Sequence, residues 1–455
     1  MPHDPVSDLL SRATEVLEAE FGSLPSFEPA FKSAADTVAM SRVLEETAHR
    51  LGDNYPYFHP LYAGQMLKPP HPVARAAYAL AMSINPNNHA RDGGRASSEM
   101  EIEAVGEIAR MFRWTEYLGH LTSSGTIANL EALWVAGQLA PGKRIVGSEQ
   151  AHYTHGRISA VLKLDFTPIA ADAHGRMSLE ALEAELRKGD VGTVVVTLGT
   201  TAIGAVDPLD EVLKLRVRYG FRVHVDAAYG GYFRLIADDL AEPAQRAYLA
   251  TEHADSLVID PHKHGLQPYG CGCVLFHDPA VGRFYKHDSP YTYFTSKELH
   301  LGEISLECSR AGAAAVALWA TQRLLPLAED GAFAAGLRSG RQAALELDRR
   351  LRSDPRFQAM EGGGPQLDIV VWAVKAGNRE RASEMAQKIF VACATRELHL
   401  ALVQLPLFWF CLGTAPGGAI TCLRSVLMKP EHAIWLDRIW ERLSAGSAEI
   451  LGFEG

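Results

Sequence analysis

Four short runs rich in β-branched and apolar residues punctuate the middle of the chain: TVVVTL (193–198), RVHVDAA (222–228), SLVID (256–260) and GCVLF (272–276). Longer runs of helical character lie before and between most of them. Strands spaced by helices cannot pair through tight hairpins alone. They assemble through crossovers, so the pattern predicts an α/β fold with a mixed, mostly parallel sheet flanked by helices.

The 455 residues exceed one ordinary domain, and three segments are expected. Residues 1–65 read as helical and then extended, with Leu9, Leu10, Val16 and Leu17 at helical spacing before the irregular NYPYFHPLYAGQMLKPPHPV. Residues 66–335 form the large sheet-bearing domain. Residues 336–455 form a smaller α+β domain, opening on GRQAALELDRRLRS and carrying strands near 367–374 and 421–427.

The net charge of −10, with Lys and Arg scattered rather than clustered, argues against a nucleic-acid partner. No apolar run is long enough to span a bilayer; the best, Leu400 to Gly413, is interrupted by Gln404 and Pro406. The start, MPHDPVSDLLSRA, lacks the pattern of a secretory signal. The six cysteines contain no C-x-x-C pair, and Cys271 and Cys273, flanking one glycine, read as strand-core residues. A reduced, cytoplasmic protein without a metal site is expected.

Three segments place polar chemistry beside these runs. In LTSSGTIANLEALWVAG, Ser123, Ser124, Gly125 and Thr126 stand just before a helical run. They suit either a phosphate at a helix N-terminus or a plain helix cap. In VHVDAAYGGYF, Asp226 ends a strand, where a carboxylate either faces a ligand or caps a turn. The small residues Ala227, Ala228, Gly230 and Gly231 favour a flat ligand close by. In DSLVIDPHKHGLQPYGCGCVLF, Lys263 lies between two hydrophobic strands, where an amine loses solvent and, with it, its proton more readily; a neutral amine can attack a carbonyl. A metal site at His262 and His264 is the weaker reading, since no further ligand stands at suitable spacing.

Taken together and in this order, these segments resemble the group II pyridoxal-dependent decarboxylases of fold type I, the family of glutamate, aromatic amino acid and tyrosine/aspartate decarboxylases. The resemblance runs from about Pro56 to the end. It implies pyridoxal 5′-phosphate (PLP) held as a Schiff base on Lys263, with a pyridoxal-dependent transferase fold. The implied reaction is decarboxylation of an aromatic or acidic L-amino acid to its amine and carbon dioxide. The alternatives are a carbon–carbon lyase acting on a phosphorylated amino substrate and an aldehyde-forming relative.

The resemblance also assigns roles. Ser124, Gly125, Thr126 and His262 would hold the phosphate, and Asp226 would pair with the pyridine nitrogen. AHYTHG is similar to the family's A-H-Y-S element, so His152 would stack on the ring, with Ala228 on its other face. TLGTTAIGAVDPL matches a G-T-T-x-x-G-x-x-D-P run and points to Thr200 and Thr201 near the phenolic oxygen. NYPYFHPLYAG and CLRSVLMKPEH bring His59 towards the substrate and Arg424 to its carboxylate. KHDSPYTYFTSKELHLGEISLECSR offers Tyr291 or Tyr293 as proton donor, and Thr295 and Ser296 as phosphate ligands across the interface of a homodimer. One departure is Arg95, where the family's S-P-A-x-T-E-L-E element usually has proline; it is expected to face solvent.

Overall fold

The computed structural model describes residues 6–25, 27, 37–286, 305–411 and 418–452. Seven strands form the larger sheet: β1 (Leu118–Thr122), β2 (Arg144–Ser148), β3 (Phe166–Ile169), β4 (Val191–Thr197), β5 (Arg222–Asp226), β6 (Ser256–Ile259) and β7 (Gly272–Phe276). Their order across the sheet is β1-β7-β6-β5-β4-β2-β3. The β2–β3, β2–β4, β4–β5 and β5–β6 pairs are parallel, while β7 runs antiparallel to both neighbours, β1 and β6.

All four runs recognised in the sequence are strands of this sheet. Every residue of β4, β6 and β7 is buried, which is why they read as continuous apolar runs rather than alternating ones. Helices cover both faces. In chain order they are α1 (Val6–Glu20), α2 (Thr37–Leu51), α3 (Pro72–Met82), α4 (Arg95–Met111), α5 (Gly125–Leu139), α6 (Thr154–Val161), α7 (Leu179–Leu186), α8 (Leu209–Tyr219), α9 (Glu242–Leu249), α10 (Gly312–Leu324), α11 (Ala332–Ser353), α12 (Arg379–Ala394) and α13 (His432–Leu451).

Four antiparallel strands make the second sheet, in the order β10-β11-β9-β8: β8 (Phe357–Ala359), β9 (Ile369–Val374), β10 (Ala401–Pro406) and β11 (Ala419–Val426). With α11, α12 and α13 they form the smaller α+β unit around Leu347, Trp372, Ile389 and Leu443. The boundary expected at 335 falls inside α11, which runs unbroken through it. The larger core also reaches into this unit through Leu367, Ile369 and Val371, so the two sheets share packing.

No helix among the described residues is long and apolar enough to cross a membrane. All six cysteines are free; Cys271 and Cys273 are buried, and no metal-binding cluster occurs among the described residues.

Candidate functional site

Parallel strands deliver their carboxyl ends to one edge of a sheet, and the seven-stranded sheet concentrates its polar chemistry there. β1 ends at Thr122 and leads through Ser124 into α5. β2 ends at Ser148, four residues before His152. β4 ends at Thr197, β5 at Asp226, and β6 is followed directly by Asp260-Pro261-His262-Lys263. Ser124, Gly125, Thr126, His152, Ala228 and Lys263 line one cleft there. So do Asn129, Thr197, Thr201, Asp226, Asp260 and His262.

Asp226 is buried and doubly held. His155 Nε2 donates to its Oδ2 at 2.8 Å, and the Ala228 N–H donates to its Oδ1 at 3.1 Å. Burial alone would raise its proton affinity, but the His155 hydrogen bond and charge, helped by Lys263, outweigh burial and hold the carboxyl well below the usual range. Asp226 is therefore a fixed anion in a dry wall.

Lys263 is not a lone amine. Its Nζ lies 3.0 Å from Asp260 Oδ2, and its side chain keeps 22% of its exposure. Asp260 lies beside the first turn of α5, where a Cβ on Gly125 would come within 2.6 Å of both carboxylate oxygens. Only glycine permits that approach, which brings a carboxylate to the positive end of the helix. Ser124 caps the same helix, its Oγ accepting from the Ile127 N–H at 3.4 Å.

Burial lowers the proton affinity of His152, and Lys263 adds to the effect while Asp226 opposes it. Its Nδ1 is held by Thr154, whose Oγ1 lies at 2.5 Å. Burial lowers His262 too; its ring lies 4.8 Å from that of Tyr269. Behind the cleft, His224 Nε2 donates to Asn129 Oδ1 at 2.8 Å, and burial holds His224 down at about 3, a neutral imidazole.

Other expected residues fall elsewhere. Thr200 is buried, its Oγ1 accepting from the Ala205 N–H at 3.0 Å, and Thr201 is the member of the pair that lines the cleft. Arg424 gives Nε to Ala202 O, Nη2 to Thr201 O, and Nη1 to Gly64 O and Gln65 Oε1. His59 packs against Trp435, 4.8 Å between ring centres, outside the cleft lining. Gly230 and Gly231 answer protein rather than ligand: a Cβ would lie 2.2 Å from Leu198 O at the first and 2.6 Å from the Ile259 side chain at the second. Arg95 is exposed at the start of α4. Tyr291, Tyr293, Thr295 and Ser296 lie outside the described residues.

Sequence reasoning missed His155, Asp260 and Asn129. His155 stands three residues after His152, on the first turn of α6, and its backbone N–H returns to His152 O at 3.1 Å, just before the helix begins. Asp260 is three residues before Lys263, the spacing of one turn.

The cleft suits pyridoxal 5′-phosphate by its own chemistry. Three of its wall atoms are buried without a hydrogen-bond partner: Thr197 Oγ1, Asp260 Oδ1 and His262 Nδ1. A helix N-terminus with hydroxyls can take a dianion, a fixed carboxylate can take a cationic ring nitrogen, and an amine stands between them.

Comparison with known proteins agrees. Residues 54–375 match the pyridoxal-dependent decarboxylase conserved domain. The chain is 29% identical over 408 residues to the L-tyrosine decarboxylase of Enterococcus faecium, covering 67% of each. It is 26% identical over 334 residues to a probable L-tyrosine/L-aspartate decarboxylase of Methanothermobacter thermautotrophicus, covering 69% of this chain and 88% of that one. A match to the L-tyrosine decarboxylase of Levilactobacillus brevis spans 63% of that relative's length, so the chain covers somewhat under two thirds of it. Among solved structures, Oryza sativa TDC with PLP and tryptamine matches with a TM-score of 0.76 at 19% identity, covering 98% of this chain and 96% of that one. Mouse CSAD in apo form matches with 0.77 at 18% identity, covering 98% and 99%. At these identities the structural likeness establishes the fold.

Proposed function

The chain belongs to the pyridoxal-dependent decarboxylase family, and from that premise we propose that it removes the carboxylate of an aromatic or acidic L-amino acid. The cofactor is pyridoxal 5′-phosphate and the reaction class is amino acid decarboxylation. When bound, the cofactor supplies the electron sink for the bond that breaks. The rest falls to the protein.

The observation that carries the residue assignment is the buried Asp226–His155 pair sharing one cleft with Lys263. Lys263 is the amine of attachment. Asp226 keeps its charge opposite the ring nitrogen because His155 and Lys263 hold it ionised. Ser124, Gly125, Thr126 and His262 would take the phosphate, and His152 and Ala228 would flank the ring. Thr201 rather than Thr200 serves the cleft side of the 197–207 turn. Arg424 has four N–H groups on acceptors, of which only Gln65 Oε1 belongs to a side chain. A substrate carboxylate reaches Arg424 by displacing Gln65, while the three carbonyl contacts keep the guanidinium oriented. Tyr291 or Tyr293 would return the proton, and Ser296 would meet the phosphate of a second subunit.

A homodimer is part of this reading. α1 and α2 bury no residue, and they expose Leu9, Val16, Val38, Leu44 and Leu51. Apolar residues exposed in this number on two helices suit cover by a partner. A cytoplasmic setting suits six free cysteines.

The test is a panel of L-amino acids, including tyrosine, aspartate and 2,4-diaminobutyrate, scored for carbon dioxide and amine. We expect carbon dioxide and amine in equal amounts from tyrosine or aspartate, and loss of both in Lys263→Ala. That variant should also lose the borohydride-sensitive visible absorbance. Aldehyde without amine, or turnover without carbon dioxide, would overturn the assignment.

A further inference from the structure

Behind the loop that carries Lys263, a second cavity of about 260 Å³ shares no lining residue with the cofactor cleft. Two lysines line it. Lys429 is 3% exposed, and its Nζ donates to Tyr62 O at 2.6 Å and lies 5.2 Å from the centre of that ring. Lys68 Nζ donates to His264 O at 3.5 Å and Met428 O at 3.4 Å. Among the described residues, neither ammonium has a carboxylate within ion-pair distance.

The surroundings are short of negative charge. The buried carboxylate nearby, Asp368, has both oxygens committed, accepting from Tyr229 Oη at 2.5 Å and from His264 Nε2 at 2.8 Å. His264 Nδ1 meets Tyr229 O at 2.9 Å, so both ring nitrogens face acceptors. Arg424 adds another buried cation to the same neighbourhood. Glu431, also in the lining, is exposed. Buried cations in excess of buried anions are costly unless a counter-charge arrives. An ammonium has three donors, and Lys429 uses one of its three on protein. Much of the remaining lining is apolar, with Phe58, Leu325, Phe333, Leu337 and Met428.

We propose that this cavity is a second ligand site, taking a small organic carboxylate whose anionic head lies between Lys68 and Lys429 and whose apolar body rests on Phe333 and Leu337. The apolar walls favour a carboxylate over inorganic phosphate, which would leave them unmatched. Burial lowers Lys68 to about 8 and Lys429 to about 7; the Lys68 charge pushes Lys429 down further, while Asp368 and Glu431 draw Lys68 up. The groups facing the Lys429 amine are Lys68, Glu431 and Tyr62, while His432 Nδ1 accepts the Lys429 backbone N–H. At pH 8.5 both amines are largely neutral, so an arriving anion must draw protons from the buffer.

Titration calorimetry of sodium benzoate into the cofactor-loaded enzyme at pH 8.5, in buffers of different ionisation enthalpy, tests this. We expect between about one and two protons taken up per benzoate, and an affinity reduced at least tenfold by Lys429→Gln, with the cofactor absorbance unchanged. Leu337→Trp, which fills the cavity and keeps both lysines, should block benzoate equally, so a folding defect in one variant does not shelter the idea. Benzoate binding indifferent to both variants would overturn it, as would inorganic phosphate binding as tightly as benzoate. The absence of any benzoate heat would leave both lysines as backbone pins and overturn it as well.

Discussion

Two aspartates sit wholly buried near the carboxyl ends of neighbouring strands, and they hold protons in opposite ways. Asp226 ends β5 and faces the cofactor cleft; Asp207 lies ten residues beyond the end of β4, closing the turn that carries Thr200 and Thr201. Asp207 accepts from the Met177 N–H at 2.7 Å and the Thr197 N–H at 2.9 Å. Backbone dipoles are its only strong partners, so burial prevails and pushes it up to about 7. Asp226 has a histidine in contact and a lysine nearby, and those charges reverse the outcome. Equal burial gives opposite proton affinity, and the partner's charge decides which. One carboxylate anchors a turn and the other stands as a permanent anion in the cleft wall.

The largest effect should follow from removing the anion that is always present. Asp226→Asn keeps the shape but loses the charge proposed to pair with the ring nitrogen. An ion pair of this kind shifts the partner's proton affinity by about one to three pKa units, so kcat should fall by roughly ten- to a thousandfold. Cofactor attachment at Lys263, read by borohydride-sensitive absorbance, should survive. Loss of attachment together with activity would show that Asp226 acts on binding rather than on the ring.

His155→Leu attacks the comparison itself by making Asp226 resemble Asp207. Without the imidazole, burial is opposed only by Lys263 and the Ala228 N–H, so the Asp226 proton affinity must rise. The acid limb of the kcat–pH profile should therefore move to higher pH. At neutral pH the loss should be smaller than for Asp226→Asn, roughly ten- to a hundredfold, the scale of one charge-assisted hydrogen bond. A uniform loss at every pH would mean that His155 only supports the fold.

How much of this was legible in the sequence follows from what each feature depends on. The four central strands were visible because burial on both sides makes a run apolar whatever its neighbours are. Lys263, Asp226 and Ser124 were visible because strand ends and helix starts are local. His155 reaches Asp226 across 71 residues, and Asp368 reaches His264 across 104. Such contacts are created by the crossovers, and no local pattern encodes them. The glycines after Asp226 misled for a related reason. Small residues signal a close approach but do not say to what, and here the approach is to Leu198 and Ile259. Thr200 and Thr201 are adjacent in sequence, and which of them lines the cleft follows from the hydrogen bond that Thr200 makes inside its own turn.

The smallest effect, and the one that separates the two aspartates by sign, concerns stability. Asp207 in the folded protein has its pKa raised to about 7, against roughly 3.9 when unfolded. Between those values the unfolded chain has released the proton and the folded chain has not. Raising pH through that window therefore removes stability, at up to about 1.4 kcal/mol per pH unit. Asp226 behaves oppositely: its folded value is depressed, so its contribution is complete above the unfolded pKa and is lost only as pH falls below it. Asp207→Asn leaves a backbone N–H without its acceptor, costing about 1–3 kcal/mol near pH 4. Because the variant cannot ionise there, its deficit relative to the parent should shrink as pH rises from 4 to 7. Urea unfolding at three pH values measures it. A deficit that grows with pH would mean that the two backbone N–H groups hold Asp207 ionised, and the two aspartates would then differ in purpose but not in charge.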